Sequence, residues 1–465
     1  VASVLAVAAV KTGLQLAFAA RYGWHRDTLY YAVAGLHLQG GYVEFPPVTA
    51  LISALARSLF GWSLVGFRLF PILAGAGTII VGARITAELG GGRRAQTIAA
   101  VLIAFSPLML GTNGLFQPVS FDQLTWLIVF WLVIRLALGR GSWLLLGVAA
   151  GIGLETKYSI AVPLVLLIVT FAIWRRDVLR TWRFPAAVAI AALLLVPNLI
   201  WEASNAWVSV HWFLHPPPSG SDETRPQYIF NTLLLTQLIA VPIAIAGIVF
   251  LVRERALRPL GWTIVGTVIA FFLLGGKSYY ALPALLVALA AGAIGFDRWA
   301  SRRRLIVVGA AYVALDLALL PLAIPVLPLT TAKHWHIVAA RGDYQDEIGW
   351  PGFVRQTHAH AAGANVIITQ NYGEAGALEI LGQGQQLPPV ASGDATFRFW
   401  RPRIAGRQAL TIGFAKIAPR FCRNDYRIVG KIEMPVDNDE RGDIIARCTL
   451  RNSLADVWPQ IQRPL

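Results

Sequence analysis

Residues 143–174 read WLLLGVAAGIGLETKYSIAVPLVLLIVTFAIW. The run is long enough for one helix through a bilayer, but Glu155 and Lys157 stand in its middle, where charge is costly in lipid. Splitting it there gives two short apolar helices, 143–155 and 158–174, that meet at a membrane surface. Further apolar stretches lie at 1–20, 64–87, 95–111, 119–138, 184–201, 229–252, 259–275, 280–296 and 305–328. The total is about eleven spans, and the two short ones fall below the ~20 residues a crossing usually takes. With eleven spans and a cytoplasmic start, one side receives Arg93/Arg94, Arg140, Arg175/Arg176/Arg180/Arg183, Arg253/Arg255/Arg258 and Arg298/Arg302/Arg303/Arg304. These are fourteen basic residues in five short loops, a strong positive-inside bias. Merging 143–174 into one span scatters them over both faces. Segment 1–20 has neither a charged leader nor a small-residue cleavage site and reads as the first span rather than a signal peptide.

Composition agrees. The 465 residues are 56% hydrophobic and 14% charged, where soluble proteins carry about a quarter charged. Residues 1–328 hold 24 Lys/Arg and 12 Asp/Glu, while 329–465 hold 16 and 13. These figures exclude a soluble enzyme, a disordered chain and a single-pass anchor. Twelve of the fifteen net positive charges sit in loops of the apolar part, so the basic balance is a topology signal and not a nucleic-acid footprint. The chain reads as a mainly α polytopic membrane protein, with a transmembrane domain over 1–328 and a small extracytoplasmic α/β domain over 329–465.

In that domain, 366–370, 409–415, 426–433 and 444–450 have strand character and 374–381 helical character. It also holds both cysteines, Cys422 and Cys448. They suit either a disulfide in an oxidising compartment or two buried thiols.

Five ionisable residues gather at span ends on the expected outer face: Asp27, Glu44, Asp122, Lys157 and Lys277. Asp27 follows the first span in His25-Arg26-Asp27-Thr28-Leu29-Tyr30-Tyr31. Glu44 lies in Tyr42-Val43-Glu44-Phe45-Pro46-Pro47, where the double proline starts an interfacial helix over 47–60. Asp122 opens the fourth span, Lys157 sits at the tip before Tyr158, and Lys277 lies in Gly275-Gly276-Lys277-Ser278-Tyr279-Tyr280. Lysines at a lipid–water boundary can hold an anionic headgroup and stabilise charge on a leaving phosphate. A carboxylate beside them can take the proton of an attacking hydroxyl. A single such charge could equally be a snorkelling or helix-pairing residue; five on one face favour chemistry.

Read in order, Asp-x-Leu-Tyr-Tyr, Gly-Tyr-Val-Glu-x-Pro-Pro, Phe-Asp at a span start, Lys-Tyr and Gly-Lys-x-Tyr-Tyr resemble the dolichyl-phosphate-mannose-protein mannosyltransferase superfamily. They look most like the bacterial family 39/83 glycosyltransferases of the C-type membrane fold, which include the aminoarabinose transferase acting on lipid A. Asn371-Tyr372-Gly373-Glu374-Ala375-Gly376-Ala377 looks like a recurrent segment of the same family. The resemblance implies an inverting glycosyltransferase of the bacterial plasma membrane. It would move a sugar from a polyprenyl-phosphate donor to a hydroxyl of an envelope glycan, lipid or protein on the extracytoplasmic side. Asp27, Asp122 and Glu44 match the family's catalytic acids, and Lys157 and Lys277 its phosphate contacts. Two positions depart from the pattern: Thr28 stands where many members have a second acid, and Phe45 where others have His or Lys.

Tyr280 and Arg225 are further candidates for the donor phosphate, with Tyr228 beside Arg225. No cofactor is required by this chemistry. A divalent metal on Glu44, His211 and His215 is an added alternative, should the 202–228 loop fold over the first one. His334, His336, His358 and His360 read as surface residues, and Asp316 as a partner for a neighbouring helix. The rival functions are a transporter or flippase of a lipid-linked sugar, and an inactive relative serving as a scaffold.

Overall fold

The computed structural model describes residues 1–215 and 223–463; residues 216–222, in the middle of the loop expected over 202–228, and 464–465 lie outside the described residues. The fold is mainly helical, with one small sheet near the C-terminus. Every apolar stretch seen in the sequence is helical, but fewer than eleven helices are long enough to cross a membrane alone. Among the described residues five are long and apolar enough: Leu64–Glu88, Pro118–Ala137, Arg183–Ser204, Leu282–Trp299 and Arg302–Ala323. A bent pair, Arg225–Thr236 with Val241–Arg253, makes a sixth if counted as one.

The shortfall has local causes. The stretch 95–111 divides into Arg93–Ala104 and Pro107–Thr112, because Pro107 cannot continue a helix and the Ser106 hydroxyl caps the next one by accepting from the Met109 amide. The stretch 229–252 turns through 92° between its two helices. Gln237 stands in the break with φ +76°; its side chain accepts from the Ile239 amide and donates to the Tyr312 carbonyl and to Asp316. Asp316 thus does pair with a neighbouring helix. The stretch 143–174 breaks as its charges require, into Trp143–Leu154 and Ala161–Trp174, joined by a single 3₁₀ turn at Tyr158–Ile160.

Leu282–Trp299 is the buried centre of the bundle, and every residue from Leu282 to Ile294 is buried. Small residues allow this: a Cβ on Gly247 would lie 1.9 Å from the Ala288 carbonyl oxygen, and one on Gly292 the same distance from that of Ile243. The expected interfacial helix is Val48–Phe60, which buries Thr49, Ala50, Ser53 and Ala56 and exposes Leu51, Leu55 and Leu59. An exposed leucine face is what a helix lying on lipid presents.

The sheet has strands β1 (Val366–Thr369), β2 (Val390–Ser392), β3 (Gln408–Ile412), β4 (Arg427–Lys431) and β5 (Ile444–Thr449) in the order β2-β1-β3-β5-β4. β1 is parallel to β2 and β3, while β3–β5 and β5–β4 are antiparallel. The four expected strands are present; β2, three residues long, is too short to stand out by pattern. Cys422 and Cys448 form a disulfide in the core of this unit, closing a sequence separation of 26 residues. Replacing both by alanine is expected to cost about 3 kcal/mol in the chain-entropy model, read as earlier melting of the full chain.

This C-terminal unit sits on one end of the bundle through charged side chains. Arg26 reaches Asp439 at 2.8 Å and Glu440 at 3.0 Å, and Arg68 meets Glu347 at 3.3 Å with both side chains buried. Arg341 donates to the carbonyls of Leu322, Ala323 and Gly111.

Candidate active site

The first candidate, Asp27, lies in the first turn of helix Arg26–Ala34, where a carboxylate complements the helix dipole. His25 caps that helix, its Nδ1 accepting from the Asp27 amide at 3.1 Å. Asp27 Oδ1 accepts from the Tyr372 hydroxyl at 2.8 Å. The imidazole of His25 is buried against Asp343 and Asp346, at 3.8 and 3.9 Å. Burial pulls its pKa down, but the hydrogen bond to Asp343 and the charges of Asp27, Asp343 and Asp346 prevail and push it up to about 9. The cap itself needs the neutral ring, because the Nδ1 of an imidazolium carries a hydrogen and cannot accept from the Asp27 amide.

Glu44 faces inward. Its Oε2 accepts from the Tyr30 hydroxyl at 2.5 Å, and that hydroxyl in turn lies 2.6 Å from Thr396 Oγ1 and accepts from the Thr396 amide. Burial pushes the Glu44 carboxyl up to about 8, against the opposing hydrogen bond from Tyr30. That shift favours the protonated form of Glu44 at neutral pH, in which it serves as a hydrogen-bond partner.

Asp122, in the first turns of helix Pro118–Ala137, accepts from Trp126 Nε1 at 2.8 Å and from the Ser159 hydroxyl at 2.9 Å. The second bond ties it to the break that carries Lys157. The Lys157 ammonium lies over the rings of Tyr280 and Tyr279, 4.3 and 5.0 Å from their centroids, a cation–π seat. Burial is the main cause that lowers its pKa to about 8; Asp122 opposes the shift and the charge of Lys277 adds to it. The two lysines and Asp122 are thus electrostatic neighbours. Tyr31 and Tyr279 both feel the charge of Asp27, and Tyr31 also that of Glu44, which joins the carboxylates to the lysine side through a tyrosine-lined region.

The structure therefore brings together Asp27, Glu44, Asp122, Lys157, Lys277 and Tyr280. The remaining candidates are committed to other contacts, although Glu223, two residues before Arg225, accepts from the Ser278 amide beside Lys277. Arg225 donates to the Leu273 carbonyl at 3.0 Å and lies over the Phe272 ring, closing the end of helix Arg258–Leu274. Tyr228 donates to the Val268 carbonyl of that helix. The segment after residue 202 does fold over the first loop, the Ser209 hydroxyl donating to the Tyr42 carbonyl at 3.0 Å. His211 and His215, however, are exposed on helix Val208–Leu214 and its cap, while Glu44 turns in toward Tyr30. Among the described residues no three His, Cys, Asp or Glu are placed to hold a metal, so Glu44, His211 and His215 do not form that site. The departures also find places: Thr28 donates to the Phe116 carbonyl, and Phe45 stacks on Tyr42 in an aromatic cluster with Tyr30 and Tyr31.

The sequence gives no role to Thr396, Ser159 and Trp126, and shows Tyr30 and Tyr372 only as members of quoted motifs. Trp126 was accessible, since i and i+4 residues share a helix face. Thr396 and Tyr372 come from the C-terminal unit, and no local pattern links them to residues 345 or more positions away.

Residues 44–201 match the family of dolichyl-phosphate-mannose-protein mannosyltransferases. An undecaprenyl phosphate-alpha-4-amino-4-deoxy-L-arabinose arabinosyl transferase of Pseudomonas aeruginosa is 27% identical over 242 residues, covering 45% of this chain and 43% of that one. The lipopolysaccharide core galacturonosyltransferase RgtA of Rhizobium johnstonii is 34% identical over 134 residues, 26% of each chain. These matches span less than half the length of either relative. In fold, the chain is similar to ArnT from Cupriavidus metallidurans, solved bound to undecaprenyl phosphate, with a TM-score of 0.62 and 15% identity over 96% of this chain and 97% of that one. The resemblance to the mannosyltransferase superfamily is shown by these matches, and the fold is that of ArnT.

Proposed function

We propose that the protein is a polyprenyl-phosphate-sugar-dependent glycosyltransferase acting by inversion on a hydroxyl of an envelope glycan, lipid or protein. The observation that carries this reading is that Asp27 and the Lys157–Asp122–Lys277 group share a tyrosine neighbour: Tyr279 feels the Asp27 charge and seats the Lys157 ammonium on its ring. Both relatives are named as sugar transferases, and the similar solved structure holds undecaprenyl phosphate. Lys157 and Lys277 hold the donor phosphate, with Tyr280 shaping the seat of Lys157. Asp122 spends its oxygens on Trp126 and Ser159 and fixes that lysine's position. An apolar cavity between the helices that flank the Lys157 break, running from Leu154 and Leu164 to Trp143 and Leu179 at their far ends, suits a prenyl chain.

In the reaction the acceptor oxygen forms a bond to the anomeric carbon as the bond from that carbon to the phosphate oxygen breaks. The bonding pair leaves on the phosphate, where the lysines neutralise it. The acceptor proton passes to Asp27 during attack, because a carboxylate is far too weak a base to deprotonate an alcohol beforehand. None of these steps calls for a metal. We place residues 1–328 in the bacterial plasma membrane, with the shorter apolar helices completing about eleven crossings, and residues 329–465 on the extracytoplasmic side.

Purified protein in nanodiscs, given radiolabelled polyprenyl-phosphate sugars and an envelope extract, should move label to an acceptor. Donor bound or carried across a vesicle membrane with no label transferred from any sugar would replace this reading with a flippase. Since the shift favours the neutral form of Glu44 at pH 7, Glu44→Gln is expected to keep transfer within a factor of about three of wild type at that pH. A loss a hundred times larger would make the ionised Glu44 essential.

A further inference from the structure

The C-terminal unit does more than cover the site. Its helix Tyr372–Leu381 begins at a capping box in which Asn371 and Glu374 satisfy each other's backbone amides, and the Tyr372 amide donates to Asp394 at 3.1 Å. That fixes the first residue of the helix. The helix then lies directly on the Arg26–Ala34 helix through two glycines. A Cβ on Gly373 would stand 3.1 Å from Arg26 Cβ, and one on Gly376 would stand 3.0 Å from the Leu29 backbone. Arg26, plugged between Asp439 and Glu440, locks the pair from the side and lies 5.6 Å from the Tyr372 ring. The same ring also meets Tyr30, centroid to centroid at 4.9 Å. With its ring so held, the hydroxyl can point at little other than Asp27 Oδ1, 2.8 Å away.

We propose that Tyr372 is a positioning residue for Asp27: the C-terminal unit supplies the hydrogen bond that fixes one carboxylate oxygen and turns the other toward the acceptor. The role rests on the transferase reading above, with Asp27 taking the proton. It makes the docked C-terminal unit part of the catalytic centre. The hydroxyl donates only and carries no proton to product, so the balance of the reaction is unchanged.

Tyr372→Phe keeps the ring and its packing and removes only the donor. In the full chain in nanodiscs, kcat is expected to fall about tenfold, the worth of a hydrogen bond to a charged group, with the donor KM unchanged and the chain still folded, its melting temperature lowered modestly. In an Asp27→Asn background the same change is expected to cost less than about twofold, because it no longer has a carboxylate to orient. A wild-type kcat in Tyr372→Phe, or equal losses in both backgrounds, would overturn the proposal. A fluorotyrosine at position 372 tests the contact without catalysis: its fluorine resonance in the free protein should move on Asp27→Asn, and an unmoved resonance overturns the proposal as well. If the resonance moves while wild type transfers no sugar, the transferase reading fails and the positioning role falls with it, although the contact stands.

Discussion

Asp27→Asn is expected to lower kcat by about 10³, within the 10²–10⁴ that a positioned proton acceptor contributes, while leaving donor affinity within about twofold of wild type. The substitution is nearly isosteric, and an amide oxygen can still accept from Tyr372, so the first helix and its packing against the C-terminal unit should survive. What disappears is the group that gains charge-neutralising value as the acceptor proton leaves. The proposed donor contacts, Lys157 and Lys277, do not run through Asp27: Lys157 is seated on Tyr279 and Tyr280. A kcat effect without a binding effect is the signature of an interaction made in the transition state. It is measured by initial rates under saturating labelled donor, together with equilibrium binding of the same donor. Near-wild-type turnover in Asp27→Asn would remove the base from this mechanism. A parallel loss of donor binding would instead make Asp27 a sugar contact.

Much of this arrangement is legible in the sequence for a definite reason. Charges inside apolar runs are expensive, so Glu155 and Lys157 marked a break that the structure places between Leu154 and Tyr158. Asp27, Asp122 and Lys277 stood out at span ends on the same argument. Length and polarity patterns failed where a helix bends. Gln237 breaks the 229–252 run through a positive φ and side-chain bonds to Ile239, Tyr312 and Asp316, none of which leaves a hydropathy trace. The inward turn of Glu44 was equally hidden, because its partner Tyr30 is held in turn by Thr396, from a distant part of the chain. His211 and His215 illustrate the opposite failure. Their i, i+4 spacing suits a metal, yet that spacing fixes only a shared helix face, and here the face is the exposed one.

Lys157 provides the second large effect and one that pH can switch. Burial, reinforced by Lys277, lowers its pKa to about 8, so the ammonium is present below that value and is lost as pH rises through it. Donor affinity in the wild type should therefore be flat at neutral pH and fall above about 8. Lys157→Met, which keeps the stem but has no charge, is expected to raise the donor Kd roughly ten- to a hundredfold at pH 7, since a hydrogen bond to a charged group is worth about 1.5–3 kcal/mol. It should also flatten the profile above pH 8. Glu44 titrates in the same range, and Lys157→Arg separates the two. Arginine stays charged to beyond pH ~12, so the alkaline loss should vanish in that variant if Lys157 causes it. If it persists, the loss belongs to Glu44, whose ionisation would set a negative charge beside the donor. Because the Lys157 ammonium is seated on the rings of Tyr279 and Tyr280, the bulkier guanidinium is expected to bind donor less tightly than lysine at pH 7. The position of the alkaline limb, and not the absolute affinity, therefore decides which group binds the phosphate.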